Sequence, residues 1–409
     1  MPFSYSQAVD FIEMLPQPEN WPLERMKKLV EKAGIDFEKL GFIHVTGSNG
    51  KGSVSAMLYS ILRQDGKSVG LYSSPHLTDW RERFLLDGKT VSQREFARLA
   101  FRVKKAALQT KASQFEVLTA IALLWFAERK PDWLVWEVGL GGRLDATNVV
   151  NAKYAVITPI SLEHTQRLGK TLEKIAWEKS KIIKQNSTAV TPNSGRVLKV
   201  IAKEAKARKA KLVRVSKPGK IVCSKEKTSF AFKGKKWGTK LLGFHQAENA
   251  ATAIAVAREI GVSDEKISKG LLKAHWPGRM EVFSEKPLVV LDGAHNPAGV
   301  KASCESFVKI FGRKPVLVVG ILADKEWKKM ARSFASILNP SLIIATQVEN
   351  ERRLEAGILE KEFKKLGVET IAVPSVKGAV RLGMEKGLAL KKTVFVSGSL
   401  YAVGEVLSS

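Results

Sequence analysis

The feature that most constrains this chain is an apolar run that ends in a glycine-rich turn and continues into a helix-like segment. Residues 42–45 predict a strand, and the turn after them carries three glycines, a lysine and a serine: Gly47, Gly50, Gly52, Lys51 and Ser53. Glycines allow a tight turn whose N–H groups point at an anion, and the next helix adds its positive dipole end. Because lysine adds charge and a serine hydroxyl can ligate Mg²⁺, we predict a phosphate-binding loop and a helix that begins near Ser53.

The spacing of this turn departs from the common nucleotide-binding loop. Only Ser48 and Asn49 stand between Gly47 and Gly50, where the common pattern has about four residues. A plain strand–turn–helix junction would also use glycines, but it would need neither the lysine nor the serine. The loop therefore favours a bound nucleotide.

Strand-like and helix-like segments alternate along most of the chain, which predicts an α/β fold with a mostly parallel sheet. The predicted strands of a first domain span residues 42–45, 69–72, 134–138, 155–158 and 188–191, and those of a second, smaller domain span 288–291, 316–319, 342–345, 370–373 and 393–396. Residues 221–242 predict a small antiparallel addition with turns at Gly234 and Gly238. Residues 276–281 contain a proline and a glycine and are the predicted linker.

The composition is that of a globular protein, with 44% hydrophobic and 26% charged residues. Lys and Arg number 67 against 40 Asp and Glu, and the resulting charge of +27 favours anionic partners. Residues 199–240 are densely basic but contain few aromatic residues, so we interpret them as a solvated surface. The two distant cysteines, Cys223 and Cys304, suggest neither a disulfide framework nor a zinc site, and we expect a cytoplasmic protein without a targeting or membrane segment.

Polar side chains follow several predicted strands, at the edge where open α/β sheets bind ligands. Ser74 and His164 stand just beyond strands of the first domain, Glu137 stands at the end of another, and Asp292 and His295 follow the first strand of the second. Singly, such residues are most often helix caps or surface groups. Three of them at successive strand ends favour a site that could hold Mg²⁺.

Residues 171–184 predict a helix whose last turn is rich in lysine. Lys179 lies in this turn with Lys181 and Lys184. Cationic side chains are favourable at a helix C-terminus, so the pattern by itself predicts that these lysines are solvated.

Taken in order, these residues resemble the folylpolyglutamate synthases, which often act also as dihydrofolate synthases, of the Mur ligase superfamily. The motifs that carry the resemblance cover nearly the whole chain: Leu23-Glu-Arg-Met26, Thr46-Gly-Ser-Asn-Gly-Lys-Gly-Ser53, Ser74-Pro-His-Leu77, Glu82-Arg-Phe84, Phe115-Glu116, Glu137-Val-Gly-Leu-Gly-Gly-Arg-Leu-Asp-Ala-Thr-Asn148, His164-Thr165, Glu178-Lys179, His245-Gln-x-x-Asn-Ala-Ala251, Pro277-Gly-Arg279, Asp292-Gly-Ala-His-Asn-Pro297 and Ser397-Gly-Ser-Leu-Tyr401. The two-residue spacing of the glycine loop is part of this family's signature.

The resemblance implies an ATP-dependent ligase that joins L-glutamate to a carboxylate of dihydropteroate or a reduced folate through an acyl phosphate. It implies ATP and two Mg²⁺ ions as cofactors, and a monomer that binds neither nucleic acid nor a membrane. The implied domains are an ATP- and folate-binding domain with the phosphate loop at residues 1–277 and a Rossmann-like glutamate ligase domain at residues 278–409. We expect domain closure to complete the ATP site.

The resemblance also implies a role for each matching position. The nucleotide would be held by Asn49, Gly50, Lys51, Gly52, Ser53, Asn249, Arg279 and Asp292. The Mg²⁺ ligands would be Ser53, Ser74, Glu137 and His164, joined by Lys179 once CO₂ has converted its amine into a carbamate. The pteridine site would be lined by Ser113, Phe115, Leu144, Asp145 and Ala146. The catalytic residues would be Lys51, Lys179 and His295, the last orienting glutamate or assisting a proton transfer.

The chain departs from the family pattern in a few places. Ser180 and Lys181 stand where Ala-Gly commonly follows the carbamylated lysine, which places another cation near Lys179. Tyr401 stands where some bifunctional members have histidine.

Two other functions compete with this interpretation. A nucleic-acid-dependent ATPase would use the same phosphate loop and the basic charge. A cell-wall amino-acid ligase would keep the reaction and change the substrate, although the Phe115 and Asp145 motifs argue against it.

Overall fold

The computed structural model describes residues 3–17 and 22–408. The chain divides into two compact units, one formed by Met1–Lys217 and Asn249–Lys273, the other by Pro218–Glu248 and Ala274–Ser409. The division into functional domains at residues 277 and 278 stays a prediction, because these units are defined by compactness alone. No helix among the described residues is long and apolar enough to cross a membrane.

The first unit contains an eight-stranded, mostly parallel sheet within the described residues. Its strands are β1 (Phe42–Thr46), β2 (Val69–Tyr72), β3 (Phe84–Leu86), β4 (Lys89–Thr90), β5 (Trp133–Glu137), β6 (Tyr154–Ile157), β7 (Thr188–Thr191) and β8 (Lys211–Arg214). Their order is β4-β3-β2-β5-β1-β6-β7-β8, and only the pairs β2–β3 and β3–β4 are antiparallel. Strand β1 therefore lies between β5 and β6, and the polar residues at the three carboxyl ends share one edge.

Helices cover this sheet. They are α1 (Tyr5–Glu13), α2 (Leu23–Lys32), α3 (Lys51–Gln64), α4 (Gln93–Thr110), α5 (Gln114–Arg129), α6 (Thr165–Leu168), α7 (Leu172–Ser180), α8 (Gly195–Ala207), α9 (Phe244–Ile260) and α10 (Asp264–Lys273). Helix α9 belongs to the first unit from Asn249 onward. The central strands are mostly apolar, and β1 is buried at every position, as is typical of a parallel sheet with helices on both faces.

The second unit contains two sheets. A three-stranded antiparallel sheet has the order β11-β10-β9 and consists of β9 (Gly219–Cys223), β10 (Thr228–Phe232) and β11 (Lys235–Thr239). The larger sheet has the order β12-β13-β17-β14-β15-β16. Its strands are β12 (Glu281–Glu285), β13 (Leu288–Asp292), β14 (Val316–Gly320), β15 (Leu342–Thr346), β16 (Thr370–Ala372) and β17 (Val394–Ser397), and only the edge strand β12 is antiparallel.

The helices of this unit are α11 (Pro297–Phe311), α12 (Trp327–Ser333), α13 (Ala356–Lys365), α14 (Val376–Leu390) and α15 (Leu400–Leu407), with a π-helical turn at Phe334–Leu338. Its core joins the apolar faces of β13, β14, β15 and β17 to α11 and α13. Phe307 of α11 stacks on Phe395 of β17 with ring centroids 4.3 Å apart.

The α/β class, the parallel main sheets, the small antiparallel sheet and the ten predicted strands are confirmed. One turn prediction is wrong: Gly234 lies in a turn, but Gly238 lies inside β11, where it pairs with Ser229. The sequence did not predict the edge strands β4, β8 and β12 or the three-residue strand β3 beside β4. These strands are short or exposed, so they lack the apolar run that marks a central strand.

Candidate active site

The glycine loop follows β1 directly and leads into α3. Gly50 is the N-cap residue of α3, with φ of 87° and no side-chain cap on the helix. Helix α3 begins at Lys51, two residues before the predicted start near Ser53. Because the N-cap residue is a glycine, it has no side chain that could cap the first N–H groups of the helix, as a loop that binds an anion requires.

Two glycines of the loop have no room for a side chain. A Cβ atom at Gly47 would stand 1.8 Å from Thr158 Oγ1, and a Cβ atom at Gly50 would stand 2.3 Å from Asn249 Oδ1. Gly47 also has a φ of 150°. Asn249, predicted to contact the nucleotide, thus lies against the N-cap of α3.

The loop is held in place by the chain that follows β6. Ser48 N donates to Pro159 O at 3.0 Å, and the Ser48 hydroxyl donates to Ser161 O at 3.0 Å. Asn49 Nδ2 donates to Ser161 Oγ at 3.1 Å. Since these partners fix the loop from the side of β6, the backbone of the loop is preorganised.

Two lysines converge on one carbonyl of the loop. Lys51 Nζ donates to Gly47 O at 3.1 Å, and Lys179 Nζ donates to the same oxygen at 2.9 Å. Lys179 is 1% exposed and forms an ion pair with Glu163, with 3.0 Å between Nζ and Oε1. Two positive charges therefore lie at the base of the phosphate loop.

Burial and charge shift both members of the ion pair. Burial lowers the pKa of Lys179 to about 8, and the charge of Glu163 opposes this shift. Burial alone would raise the pKa of Glu163, but the charges of Lys179 and Lys51 outweigh it and lower the pKa. The pattern-based prediction of a solvated lysine turn is thus wrong for Lys179, whose burial depends on a loop 132 residues away.

The loop after β5 fixes the end of α7 that carries Lys179. Arg143 N donates to Glu178 O at 2.9 Å, and the Arg143 guanidinium pairs with the Glu178 carboxylate at 3.1 Å. A Cβ atom at Gly142 would stand 2.8 Å from Glu178 O and 3.0 Å from Lys179 O. Only glycine allows this approach, so the glycines of the motif position Lys179.

Glu137 ends β5 beside β1, where it pairs in register with Val45. Its side chain is buried, and Oε2 accepts a hydrogen bond from Ser74 N at 3.3 Å. The loop that carries Ser74 is held by Glu82, which accepts from the backbone N–H groups of Leu77, Thr78 and Asp79 at 2.7–2.9 Å. The Ser74 and Glu82 motifs therefore build one loop around the Glu137 carboxylate.

Phe115 and Asp145 meet at the same place in the loop after β5. A Cβ atom at Gly139 would stand 2.6 Å from Phe115 Cζ and 3.2 Å from Asp145 Oδ2. Asp145 is buried, and burial raises the pKa of its carboxyl group. Ala146 is also buried, whereas Leu144 is 38% exposed.

Ser113 has a local structural partner. It caps α5, and its hydroxyl donates to Glu116 Oε2 at 2.6 Å. Glu116 in turn pairs with Arg25 at 2.8 Å. The Arg25 and Phe115-Glu116 motifs therefore fix the N-terminus of α5, and a contact of Ser113 with a substrate stays a prediction.

In the second unit, Asp292 organises the turn after β13. Its Oδ2 atom accepts from Met280 N at 3.0 Å, and its Oδ1 atom accepts from Ala294 N at 3.1 Å. A Cβ atom at Gly293 would stand 2.8 Å from Arg279 Nη1. His295 Nδ1 lies 2.9 Å from Gly293 O. Arg279, Asp292 and His295 are thus brought together.

The comparisons with known proteins decide the family. The Mur ligase middle domain matches residues 45–257, and the Mur ligase glutamate ligase domain matches residues 278–400. The chain belongs to the Mur ligase family.

Within this family, the chain is similar to folylpolyglutamate and dihydrofolate synthases. It is 38% identical to the dihydrofolate synthase/folylpolyglutamate synthase of Bacillus subtilis, over 77% of this chain and 79% of that protein. It is 36% identical to a probable bifunctional folylpolyglutamate synthase/dihydropteroate synthase of Halobacterium salinarum, over 89% of this chain but only 46% of that protein. The chain thus spans about half the length of the first curated relatives it matches. A solved structure, Escherichia coli FolC in complex with DHPP and ADP, superposes with a TM-score of 0.88 at 30% identity and covers 100% of this chain and 97% of that chain.

The Mg²⁺ ligands implied by the Mur ligase family are mostly oxygen donors, which Mg²⁺ prefers. Glu137 offers a buried carboxylate with Ser74 beside it, and Ser53 lies in the first turn of α3. His164 is exposed and lies in the loop that carries Glu163. Within residues 3–17 and 22–408, no group of three or more His, Cys, Asp or Glu side chains forms a metal centre. The carboxylate and hydroxyl oxygens are of the kind that Mg²⁺ binds together with phosphate oxygens and water.

One residue of the candidate site, Glu163, is not predicted from the sequence. Glu163 pairs with Lys179, but in the sequence it is a single acidic residue beside the predicted ligand His164. The available signal was a carboxylate next to a predicted ligand at a strand end.

Proposed function

We propose that this protein is an ATP-dependent ligase that adds L-glutamate to folates and also to dihydropteroate, through an acyl phosphate. The observation that carries the proposal is the convergence of Lys51 and Lys179 on Gly47 O at the base of the phosphate loop. Support comes from the Bacillus subtilis relative, which is named a dihydrofolate synthase/folylpolyglutamate synthase, and from the Escherichia coli protein, which was solved with DHPP and ADP.

The loop and its lysines suit the first half of this reaction. A carboxylate is a poor electrophile, so the acceptor carboxylate attacks the γ-phosphate of ATP and becomes an acyl phosphate while ADP leaves. Negative charge develops on the phosphoryl oxygens in this step. Lys51 and the first N–H groups of α3 lie where they would stabilise that charge, at no cost of reorganisation.

The second half of the reaction forms the amide. The neutral amine of glutamate attacks the acyl carbon, and phosphate departs with its bonding electrons. We assign His295 to orienting glutamate or accepting its proton, and Arg279 and Asp292 to the nucleotide. These roles rest on the family motifs and on the shared turn that brings the three residues together.

Mg²⁺ would be held by Ser53, Ser74, Glu137 and His164. When bound, it would supply positive charge for the phosphate oxygens. The buried Glu137 carboxylate would orient the ion, and Ser74 N orients that carboxylate.

We also propose that Lys179 is carbamylated. Carbamylation requires the neutral amine, and burial lowers the pKa of Lys179 to about 8, which increases the neutral fraction near neutral pH. The amine nitrogen attacks CO₂, and the proton that is released goes to solvent. The product is an anion beside Glu163, so it would require a second Mg²⁺ to balance the two negative charges.

One assay separates the proposed ligase from the alternatives. Purified protein is incubated with ATP, Mg²⁺, glutamate and either dihydropteroate or tetrahydrofolate, and the products are resolved by mass. We expect an acceptor heavier by one glutamyl residue for each addition. If ATPase activity responds to polynucleotide and no glutamylated product forms from folded protein, the ligase proposal is wrong. A product only from a cell-wall acceptor would move the protein to another Mur ligase activity.

A second assay tests the carbamate. Lys179→Ala should lose activity, and acetate should restore part of it because a free carboxylate can replace the carbamate. Activity that responds neither to acetate nor to bicarbonate would exclude the modification. We also propose that the enzyme is monomeric and cytoplasmic, and that it has neither a nucleic-acid nor a membrane partner.

A further inference from the structure

A histidine lies in the middle of the central strand of the first unit. His44 pairs in register with Trp136 of β5 and Ala155 of β6 and is 0% exposed. Central strands of such sheets are usually apolar throughout, and a buried imidazole is costly unless it is hydrogen-bonded. Burial and the charge of Lys184 lower the pKa of His44 well below its ordinary value, so its ring is neutral.

His44 is the first member of a chain of hydrogen bonds that ends on Asp145. His44 Nε2 lies 2.9 Å from Thr147 Oγ1, and Thr147 Oγ1 donates to Asp145 Oδ1 at 2.5 Å. A hydroxyl has a single proton. The Thr147 hydroxyl uses its proton in the hydrogen bond to the carboxylate, so it accepts a hydrogen bond from His44. The neutral imidazole therefore carries its proton on Nε2. The other ring nitrogen, Nδ1, has no hydrogen-bond partner in the described structure, which fits an unprotonated atom.

The carboxylate at the end of this chain is held from several sides. Asp145 Oδ1 also accepts from Thr147 N at 3.0 Å, and Oδ2 accepts from Leu140 N at 2.8 Å. The backbone bonds fix where the carboxylate lies. The hydrogen bond from the Thr147 hydroxyl adds a side-chain contact to the carboxylate. The hydrogen bond from His44 Nε2 orients that hydroxyl.

We propose that His44 is a positioning residue that acts through Thr147 to fix the Asp145 carboxylate for recognition of the pterin ring of the acceptor. This inference rests on the proposed function, in which Asp145 and Phe115 line the acceptor site. A reduced pterin carries amino and ring N–H donors on one edge, and Asp145 Oδ2, which accepts one hydrogen bond from Leu140 N, can accept a second from such a donor. A carboxylate with a fixed rotamer binds that edge without an ordering cost.

Matched variants test the relay, which is the chain of hydrogen bonds from His44 through Thr147 to Asp145. His44→Leu replaces the donor with an apolar side chain of similar size, whereas His44→Gln keeps an N–H donor at a comparable reach. Thr147→Val removes the hydroxyl, and Thr147→Ser retains it. We expect His44→Leu and Thr147→Val to raise KM for tetrahydrofolate about 10-fold with KM for ATP unchanged, and the two conservative variants to stay within about 2-fold of the wild type.

Direct binding gives a readout that is separate from turnover. Tetrahydrofolate affinity is measured without ATP for the wild type, His44→Leu, Asp145→Asn and the double variant. If His44 acts through Asp145, His44→Leu should weaken binding in the wild type and add little in the Asp145→Asn background. Fully additive losses would overturn the relay. Equal loss in His44→Leu and His44→Gln, or a lower Tm with unchanged affinity, would reduce His44 to a core residue.

The control on the proposed function is the wild type itself. A wild-type protein that binds no pterin and forms no glutamylated product overturns the proposed function and this assignment together. Wild-type binding that both His44→Leu and Thr147→Val retain overturns the role of His44 alone.

Discussion

Lys179 and Glu163 form a buried ion pair, with 3.0 Å between Nζ and Oε1 and side chains that are 2% and 8% exposed. The lysine also donates to Gly47 O of the phosphate loop. Removing one member of such a pair leaves an uncompensated charge away from water, whereas removing both leaves an apolar contact.

Glu163→Gln should lower the free energy of unfolding by about 3 kcal/mol, because it leaves the Lys179 ammonium buried without a counter-charge. Lys179→Met should have a comparable effect on the Glu163 side. The double variant should recover much of the loss, since neither charge remains. Denaturant unfolding of the four proteins, without nucleotide or metal, measures this coupling. Additive losses in the double variant would show that the pair contributes no mutual stabilisation.

Lys51→Ala should lower kcat by about 100-fold or more, because the charge that it places at the phosphate loop is not replaced. The fold should persist, since the Lys51 side chain is only partly buried and its hydrogen bond to Gly47 O is shared with Lys179. Lys67→Ala is the matched control, because Lys67 is exposed and lies beyond the end of α3. ATP turnover and Tm are measured for both variants. Near-normal turnover in Lys51→Ala would remove the lysine from the mechanism.

Gly50→Ala should weaken nucleotide binding and lower Tm. Two effects act at this position: a non-glycine residue at φ of 87° is strained by about 1–2 kcal/mol, and its Cβ atom would stand 2.3 Å from Asn249 Oδ1. Gly66→Ala separates them, because Gly66 has a φ of 82° and open space around it. We expect Gly66→Ala to lower Tm only slightly and to leave ATP binding intact. Equal effects in both variants would mean that the contact with Asn249 is unimportant.

The central strands could be predicted because burial on both faces gives them apolar runs, which His44 interrupts in β1. Strands β1 and β13 show this, and each ends at a polar motif that is brought to the sheet edge. Edge strands such as β8 are exposed and basic, so no apolar run marks them. The position of the site followed from parallel strands alone, since their carboxyl ends meet at one edge.

What the sequence could not predict depends on contacts between distant segments. The burial of Lys179 requires the carbonyl of Gly47 and the carboxylate of Glu163, and no local pattern in α7 contains either. The relay from His44 to Asp145 likewise joins residues about a hundred positions apart through Thr147. For Ser113, the capping box with Glu116 is a local pattern that gives the hydroxyl a structural role.

Lys184 should make the stability of the protein rise with pH in the alkaline range. Burial, reinforced by the charges of Arg208 and Lys27, lowers the pKa of Lys184 from 10.5 to about 8. Between about pH 8 and 10.5 the unfolded chain therefore binds more protons at this position than the folded protein, and stability increases as pH rises through that window. Lys184→Met should remove this dependence. The variant loses the hydrogen bond from Lys184 Nζ to Asn148 O at 2.9 Å, which lowers its stability. It also avoids the cost of burying a cation, which raises its stability.

Unfolding by denaturant at several pH values from 7 to 10 checks this prediction. We expect the free energy of unfolding of Lys184→Met to compare most favourably with that of the wild type near pH 7. This advantage should disappear as pH rises, because the wild-type lysine becomes neutral in the folded protein. Lys209→Met is the matched control, since Lys209 is exposed and its replacement should not change the slope with pH. A constant difference between Lys184→Met and the wild type from pH 7 to 10 would mean that Lys184 titrates alike in the folded and unfolded states.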